Sequence, residues 1–226
     1  MPMTKLSRSK IELLMDCPRC FWLDMVKGIK RPPPAPYTIN SAIDLMLKME
    51  FDKHREKGTA HHLISENGVK AIPYKCDKIN VWRHNFTGVQ FEYKPADFLV
   101  FGAVDDVWIN PKGELIVVDY KATGAAEHHI YDGYRRQMEI YQWLLRQNGY
   151  KVSKRGYFLF ARVNKSGGFK NAKLSFDMFL EPLDGDDSWV EGKILEARKI
   201  IDGSVPGPSA GCGYCKYRAA AEKESA

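Results

Sequence analysis

Apolar positions change their period several times along this chain. Through "SRSKIELLMDCPRCFWLDMV" they recur at helical spacing, interrupted by Pro18. The pattern predicts a helix to about Asp16, a turn, and a second helical segment from Cys20. "KRPPPAPY" (30–37) suits neither a helix nor a central strand and reads as a stiff connector. Helical spacing resumes over 38–57, closed by charged residues and Gly58. From about 78 to 121 the pattern turns β-rich in "INVWRHNFTGVQFEY", "DFLVFGAVDDVWI" and "ELIVVDYK", with "NPKG" (110–113) as the hairpin turn between the last two. A helix follows over 134–149, carrying Tyr134, Met138, Tyr141 and Leu145 on one stripe. "RGYFLFARV" and "AKLSFDMFL" predict two more strands joined by "NKSGGFK". A last helix over 188–201 turns Val190, Ile194, Ala197 and Ile201 inward. Helices, an antiparallel β-rich stretch, a helix and further strands describe a layered α/β or α+β fold, with no internal repeat and one domain over 1–226.

Composition changes this picture little. A chain of 226 residues, 44% hydrophobic and 27% charged, can bury a real core. The formal net charge of +6 is compatible with a polyanionic partner but is well below that of an obligate nucleic-acid coat. No run approaches the roughly 18 apolar residues of a membrane helix, and the amino terminus lacks the apolar region of a signal peptide. The expectation is a soluble cytoplasmic protein with no membrane partner. Its five cysteines then favour metal binding over disulfides.

Candidate chemistry sits where the run Leu115–Val118 ends in Asp119, Tyr120 and Lys121. Side chains alternate along a strand, so Asp119 and Lys121 share one face. A hairpin from 104–109 to 115–121 brings Asp105 alongside. Two neighbouring carboxylates call for a cation, and a hard divalent ion such as Mg²⁺ serves. A lysine beside it can orient water and stabilise developing charge. A plain surface Asp–Lys pair accounts for the triplet equally well when it is taken alone. Cys17–Cys20 and Cys212–Cys215 form two C-x-x-C pairs, and four thiolates suit zinc or an iron–sulfur cluster. Cys76 has no partner at such spacing.

Gly102-Ala103-Val104-Asp105, a hairpin, Asp119-Tyr120-Lys121 and then Gln137 and Tyr141 one helix later together resemble the PD-(D/E)XK nuclease superfamily. More narrowly they resemble its RecB-like branch, which includes the CRISPR adaptation nucleases. The resemblance runs from "CPRCF" at 17–21 to "CGYCKYR" at 212–218. It implies a restriction-endonuclease-like core, a central mixed sheet flanked by helices. It implies a catalytic set of Asp105, Asp119, Lys121, Gln137 and Tyr141, with Asp105 and Asp119 as ligands of Mg²⁺ or Mn²⁺. The family's G-x-x-x-H helix motif is altered: Asn40 stands for the glycine and Asp44 for the histidine. Asp44 is an oxygen donor amid Ala42, Ile43, Leu45, Met46 and Leu47, where a buried unpaired charge is costly, and it is expected as the third metal ligand.

Iron–sulfur members of this branch clamp their ends with one amino-terminal and three carboxy-terminal cysteines. Here Ala221 replaces the final cysteine and Cys20 restores the count. The resemblance therefore implies a 4Fe–4S cluster on Cys17, Cys20, Cys212 and Cys215, with structural Zn²⁺ as the alternative. In either case it is a staple joining 1–37 to 202–226. The implied activity is metal-dependent hydrolysis of DNA, single-stranded or at ends, by an exonuclease. The chain shows no helicase motif, so a helicase or integrase would be a separate partner. The competing reading is a degenerate nuclease fold that binds DNA or protein without cutting. The His pairs at 61–62 and 128–129 read as solvated loops, and the basic stretch "NKSGGFKNAK" (164–173) reads either as a loop that tracks a phosphate backbone or as a plain exposed hairpin.

Overall fold

A computed structural model describes residues 3–33, 38–168 and 170–224. In chain order the strands are β1 (Thr4–Ser7), β2 (Ile72–Pro73), β3 (Val89–Tyr93), β4 (Phe98–Gly102), β5 (Asp106–Ile109), β6 (Leu115–Thr123), β7 (Arg155–Val163) and β8 (Phe176–Asp184). The helices are α1 (Arg8–Asp16), α2 (Pro18–Lys27), α3 (Thr38–Lys57), α4 (His62–Ser65), α5 (Ile79–Trp82), α6 (Asp132–Gln147), α7 (Val190–Asp202) and α8 (Gly213–Glu224). Within the span expected as one domain, the chain forms two compact units. One comprises 1–35, 92–100 and 188–226, the other 36–91 and 101–187.

The larger unit is built on a five-stranded mixed sheet in the order β2-β5-β6-β7-β8. Strands β5 and β6 form an antiparallel hairpin, with Ile109 opposite Leu115 and Asp106 opposite Val118. Asn110 makes the turn expected at 110–113. Its side-chain oxygen accepts from the Lys112 and Glu114 N–H groups at 3.0 Å each, and Gly113 supplies a φ of +71°. Central β6 pairs with β7 in parallel across the α6 crossover. Covered on both faces, it is apolar at every position from Leu115 to Val118. One face carries Ile116, Val118 and Tyr120, which pack with Phe51 of α3. Helix α6 is buried from Gln137 to Leu145, more deeply than a single stripe predicts. Its buried Gln142 donates from Nε2 to the Ser153 and Lys154 carbonyls, while its Oε1 has no hydrogen-bond partner among the described residues.

The smaller unit holds α1, α2, α7 and α8, and its 92–100 stretch joins β1 in a three-stranded sheet of order β1-β4-β3. Val190, Ile194 and Ala197 of α7 are buried as expected, whereas Ile201 is only half-buried.

Several boundaries differ from the periodic reading. The β-rich stretch from 78 opens with helix α5, because Ile79 and Trp82 are both buried at a helical spacing of three. The strand begins only at Val89, after Gly88, whose φ is +61° and where a Cβ would overlap the Gly102 carbonyl. "DFLVFGAVDDVWI" is two strands in two sheets, broken at 103–105. The last strand starts at Phe176, later than "AKLSFDMFL" suggested. Helix α2 begins at Pro18, whose missing N–H costs nothing at a first helical position. Residues 34–37 of the expected connector and Phe169 of the "NKSGGFK" turn lie outside the described residues.

Candidate active site and cysteine site

The larger unit brings Asp44, Asp105, Lys121 and Tyr134 to one cleft of about 400 Å³, lined also by Asn40, Leu47 and Tyr120. Each side chain arrives for a local reason. The β5–β6 register ends at Asp106 and Val118. Two residues on, the Tyr120 N–H donates to the Asp105 carboxylate at 2.9 Å instead of to a strand. The Arg83 Nε–H holds the Asp105 carbonyl at 2.9 Å. Asp119 and Lys121 share the β6 face opposite Tyr120, and the Lys121 ammonium rests against Asp119 Oδ2. It also lies 4.7 Å from the Tyr134 ring centre. Asn40 of α3 donates to the Ala122 carbonyl at 3.0 Å, which pins the start of that helix to the end of β6 and carries Asp44 to the cleft.

Asp44 differs from its expected setting. Leu45 and Met46 face solvent, because the first half of α3 is largely uncovered, and the Asp44 side chain is 33% exposed. It is paired, too. Lys48, one turn along, donates to Asp44 Oδ2 at 2.7 Å and reaches Asp105 Oδ1 at 3.4 Å. Periodicity had placed Asp44 among apolar neighbours; what surrounds it is a cation and the cleft. Lys48 carried no signal in the sequence reading beyond its i+4 spacing from Asp44.

Gln137 and Tyr141 converge on the same place from behind. The Gln137 amide donates to Asp119 Oδ1 at 2.7 Å and to the Tyr141 hydroxyl at 3.1 Å. Both residues are buried, so they orient the carboxylate and do not face the cleft.

Electrostatics follow from this crowding. Burial and then the Asp105 charge push the fully buried Asp119 up to about 7, against the pull of Lys121. Asp44 is raised for the same two reasons, with Lys48 opposing. Burial works to lower Lys121, but the charges of Asp119 and Asp105 outweigh it and hold its pKa above the ordinary value. Three carboxylates offer the all-oxygen donors a hard divalent ion takes, although their oxygens do not all lie within 4.8 Å of one another and Asp119 sits behind the cleft lining. Asp44 Oδ1 is buried with no hydrogen-bond partner among the described residues, whereas Asp119 Oδ2 is met by the Lys121 ammonium. The open Asp44 oxygen, beside the Asp105 carboxylate, fits Mg²⁺ or Mn²⁺.

The family model of the PD-(D/E)XK nuclease superfamily matches residues 42–220, which include Asp44, Asp105, Asp119, Lys121, Gln137 and Tyr141. The chain belongs to the PD-(D/E)XK nuclease superfamily. Its fold is also similar to the crystal structure of SSO0001, at 13% identity and a TM-score of 0.45, over 89% of this chain and 78% of that one. No curated protein matches. None of the described helices is long and apolar enough to cross a membrane.

In the smaller unit of this nuclease-family chain, both C-x-x-C pairs sit at helix starts. Cys17 precedes α2 with Cys20 in its first turn, and Cys212 precedes α8 with Cys215 in its first turn. All four are buried and cluster, with every pair of Sγ atoms within 4.8 Å. Cys20 Sγ lies 3.6 Å from both Cys212 and Cys215, and Cys17 lies 3.8 Å from Cys215. The thiols titrate apart. Burial opposes ionisation of Cys17, but the Cys20 and Ser209 backbone and the neighbouring thiols lower it to about 6. Burial and the same neighbours raise Cys215 to about 12. Cys76 is a half-buried free thiol, as expected.

One histidine of each pair departs from the solvated-loop expectation, while His62 and His129 are exposed. His61 is buried, caps α4 by accepting the Leu63 N–H at 3.1 Å, and contacts Glu50 at 2.8 Å. Its two ring nitrogens are thereby committed, although Glu50, His61 and His62 lie close enough together to suggest a metal. His128 packs against Phe160 and Phe179 and meets Glu181 at 3.0 Å.

Proposed function

We propose that this chain is a metal-dependent deoxyribonuclease that hydrolyses phosphodiester bonds, acting on single-stranded DNA or DNA ends as an exonuclease of the RecB-like branch. One observation carries the reading. Asp44, Asp105 and Lys121 line one open cleft, with Asp119 set beside it on the same strand as Lys121. The ordered D-Y-K at 119–121 and Q-x-x-x-Y at 137–141 support the branch.

Asp44, Asp105 and Asp119 would hold Mg²⁺ or Mn²⁺. The ion would polarise the phosphate and the attacking water and offset charge in the transition state. The chain's residues do the rest. Lys121, kept cationic by two carboxylates, orients the water for in-line attack and donates to the developing oxyanion. Gln137, backed by Tyr141, fixes the Asp119 rotamer. The Tyr120 N–H and Arg83 fix Asp105. Asn40 and Asp44 in place of the usual glycine and histidine are what favour a degenerate binding module; the retained Lys121 and the Asp44 carboxylate at the cleft argue for an enzyme.

The deciding experiment is cleavage of end-labelled single- and double-stranded DNA with Mn²⁺ or Mg²⁺ by the parent and Lys121→Ala. Cleavage that needs both the metal and Lys121, with DNA affinity retained in the variant, is the expected result, and the product ladder gives polarity. Binding without cleavage in either metal would turn the reading to the non-cutting alternative.

A further inference from the structure

The cysteine sulfurs set the size of what they can hold. A tetrahedral ion with metal–sulfur bonds of about 2.3 Å spaces its thiolates about 3.8 Å apart. In a four-iron cluster each thiolate binds a different iron, so the sulfurs stand about 6 Å apart or more. A two-iron cluster separates the two pairs of thiolates on its two irons by a similar distance of about 6 Å. Here the close Sγ pairs are at 3.6, 3.6 and 3.8 Å, and no pair exceeds 4.8 Å. We infer that the site of Cys17, Cys20, Cys212 and Cys215 binds one four-coordinate zinc ion, and not the iron–sulfur cluster that the family resemblance implies.

The surrounding backbone leaves little freedom to open the site. The Cys17 N–H is bonded to the Leu13 carbonyl at 2.9 Å, and the Cys17 carbonyl accepts from Phe21 at 3.0 Å. The Cys212 N–H is bonded to Ser209 at 3.0 Å, and the Cys212 carbonyl accepts from Lys216 at 3.1 Å. These bonds fix the backbone at both helix starts, so the sulfurs can separate only by changes of side-chain rotamer.

The sequence points the same way. Two C-x-x-C pairs at two helix starts form a symmetric four-thiolate set, and Ala221 stands where the final cysteine of the cluster motif would be. Four thiolates around a divalent ion leave a net charge of −2. The Arg31 guanidinium offsets part of it, donating to Cys212 Sγ at 3.4 Å while paired with Asp16. With all four positions filled by protein, no position is left for substrate. The ion's role is to tie the two cysteine-bearing segments together.

This inference does not depend on the nuclease reading. The test is to purify the full chain without oxygen from cells supplied with both iron and zinc. Metal content and acid-labile sulfide are then measured. About one zinc per chain, no sulfide and a colourless protein is the expected result. Iron in any form, with or without sulfide, overturns it. If the protein emerges without metal, Co²⁺ is titrated in. One equivalent that produces the strong visible bands of a tetrahedral cobalt thiolate supports the assignment, and no such spectrum overturns it. Cys76→Ser should keep the full zinc complement and Cys20→Ser should lose it. Equal retention in both variants would also overturn it.

Discussion

Asp105 and Asp106 are neighbours in sequence and do opposite work. Asp105 turns into the cleft, where it accepts the Tyr120 N–H and meets Lys48. Asp106 is fully buried. There it is paired with Arg55 and with Arg83 at 3.0 Å, and it accepts the Tyr120 hydroxyl at 2.7 Å. Arg83 serves both, since its Nε–H holds the Asp105 carbonyl. The buried clamp thus fixes the backbone from which the candidate metal ligand projects.

Asp106→Ala should accordingly destabilise the fold and loosen the backbone that carries Asp105. Removing one partner of a buried ion pair typically costs about 3–5 kcal/mol, and here two guanidinium groups lose their counter-charge. Tyr120→Phe, which removes one hydrogen bond and keeps the ring packed on Phe51, should cost about 1 kcal/mol. Urea unfolding of both variants checks the ranking; equal losses would show that the clamp is not what holds this corner.

Gln137→Ala should weaken metal binding more than it slows chemistry. Loss of a side chain that orients a metal ligand typically costs about 10–100-fold in affinity or activity. Mn²⁺ titration of cleavage should show a raised half-saturation point and near-parental rate at saturating Mn²⁺. A lowered plateau with unchanged Mn²⁺ affinity would instead give Gln137 a direct part in the reaction.

Asp119 ties metal affinity to pH. Its carboxyl ordinarily titrates at 3.8 and here stands at about 7. Between those values the metal-free folded chain holds a proton that the unfolded chain has lost, so this group's contribution to stability falls as pH rises through that window and is level above it. Metal must displace the same proton. Mn²⁺ affinity, followed by calorimetry, should rise about tenfold per pH unit below about 7 and then flatten. An affinity flat from pH 5 upward would contradict a raised Asp119.

Lys48 competes with an ion for Asp44 and Asp105. Lys48→Met keeps the helical stem and removes the ammonium, so Mn²⁺ should bind several-fold more tightly, while the metal-free protein loses the bridge between the two carboxylates. The same calorimetry, with thermal unfolding in chelator, reads both effects. Weaker Mn²⁺ binding would make Lys48 a supporting residue of the loaded site.

Much of the candidate site was legible in the chain before folding. Strand alternation places Asp119 and Lys121 on one face of β6, the i and i+4 spacing aligns Gln137 with Tyr141, and an apolar run from Leu115 to Val118 marks a strand covered on both sides. The helices at 38–57 and 134–149 follow from a 3.6-residue period. These are properties of local geometry, and local geometry is written in neighbouring residues.

What tertiary structure alone decided is which of these residues meet. Nothing in the spacing of Arg55, Arg83 and Asp106 shows that they form one buried clamp, or that Lys48 lies between Asp44 and Asp105. "DFLVFGAVDDVWI" reads as one β stretch, and only the hydrogen-bonded partners divide it between two sheets. The count of four cysteines is in the sequence, whereas the 3.6–3.8 Å between their sulfurs, on which the choice of metal turns, comes from how helices α2 and α8 pack. Side-chain period is a property of one element; distance between elements is set by the core they bury together.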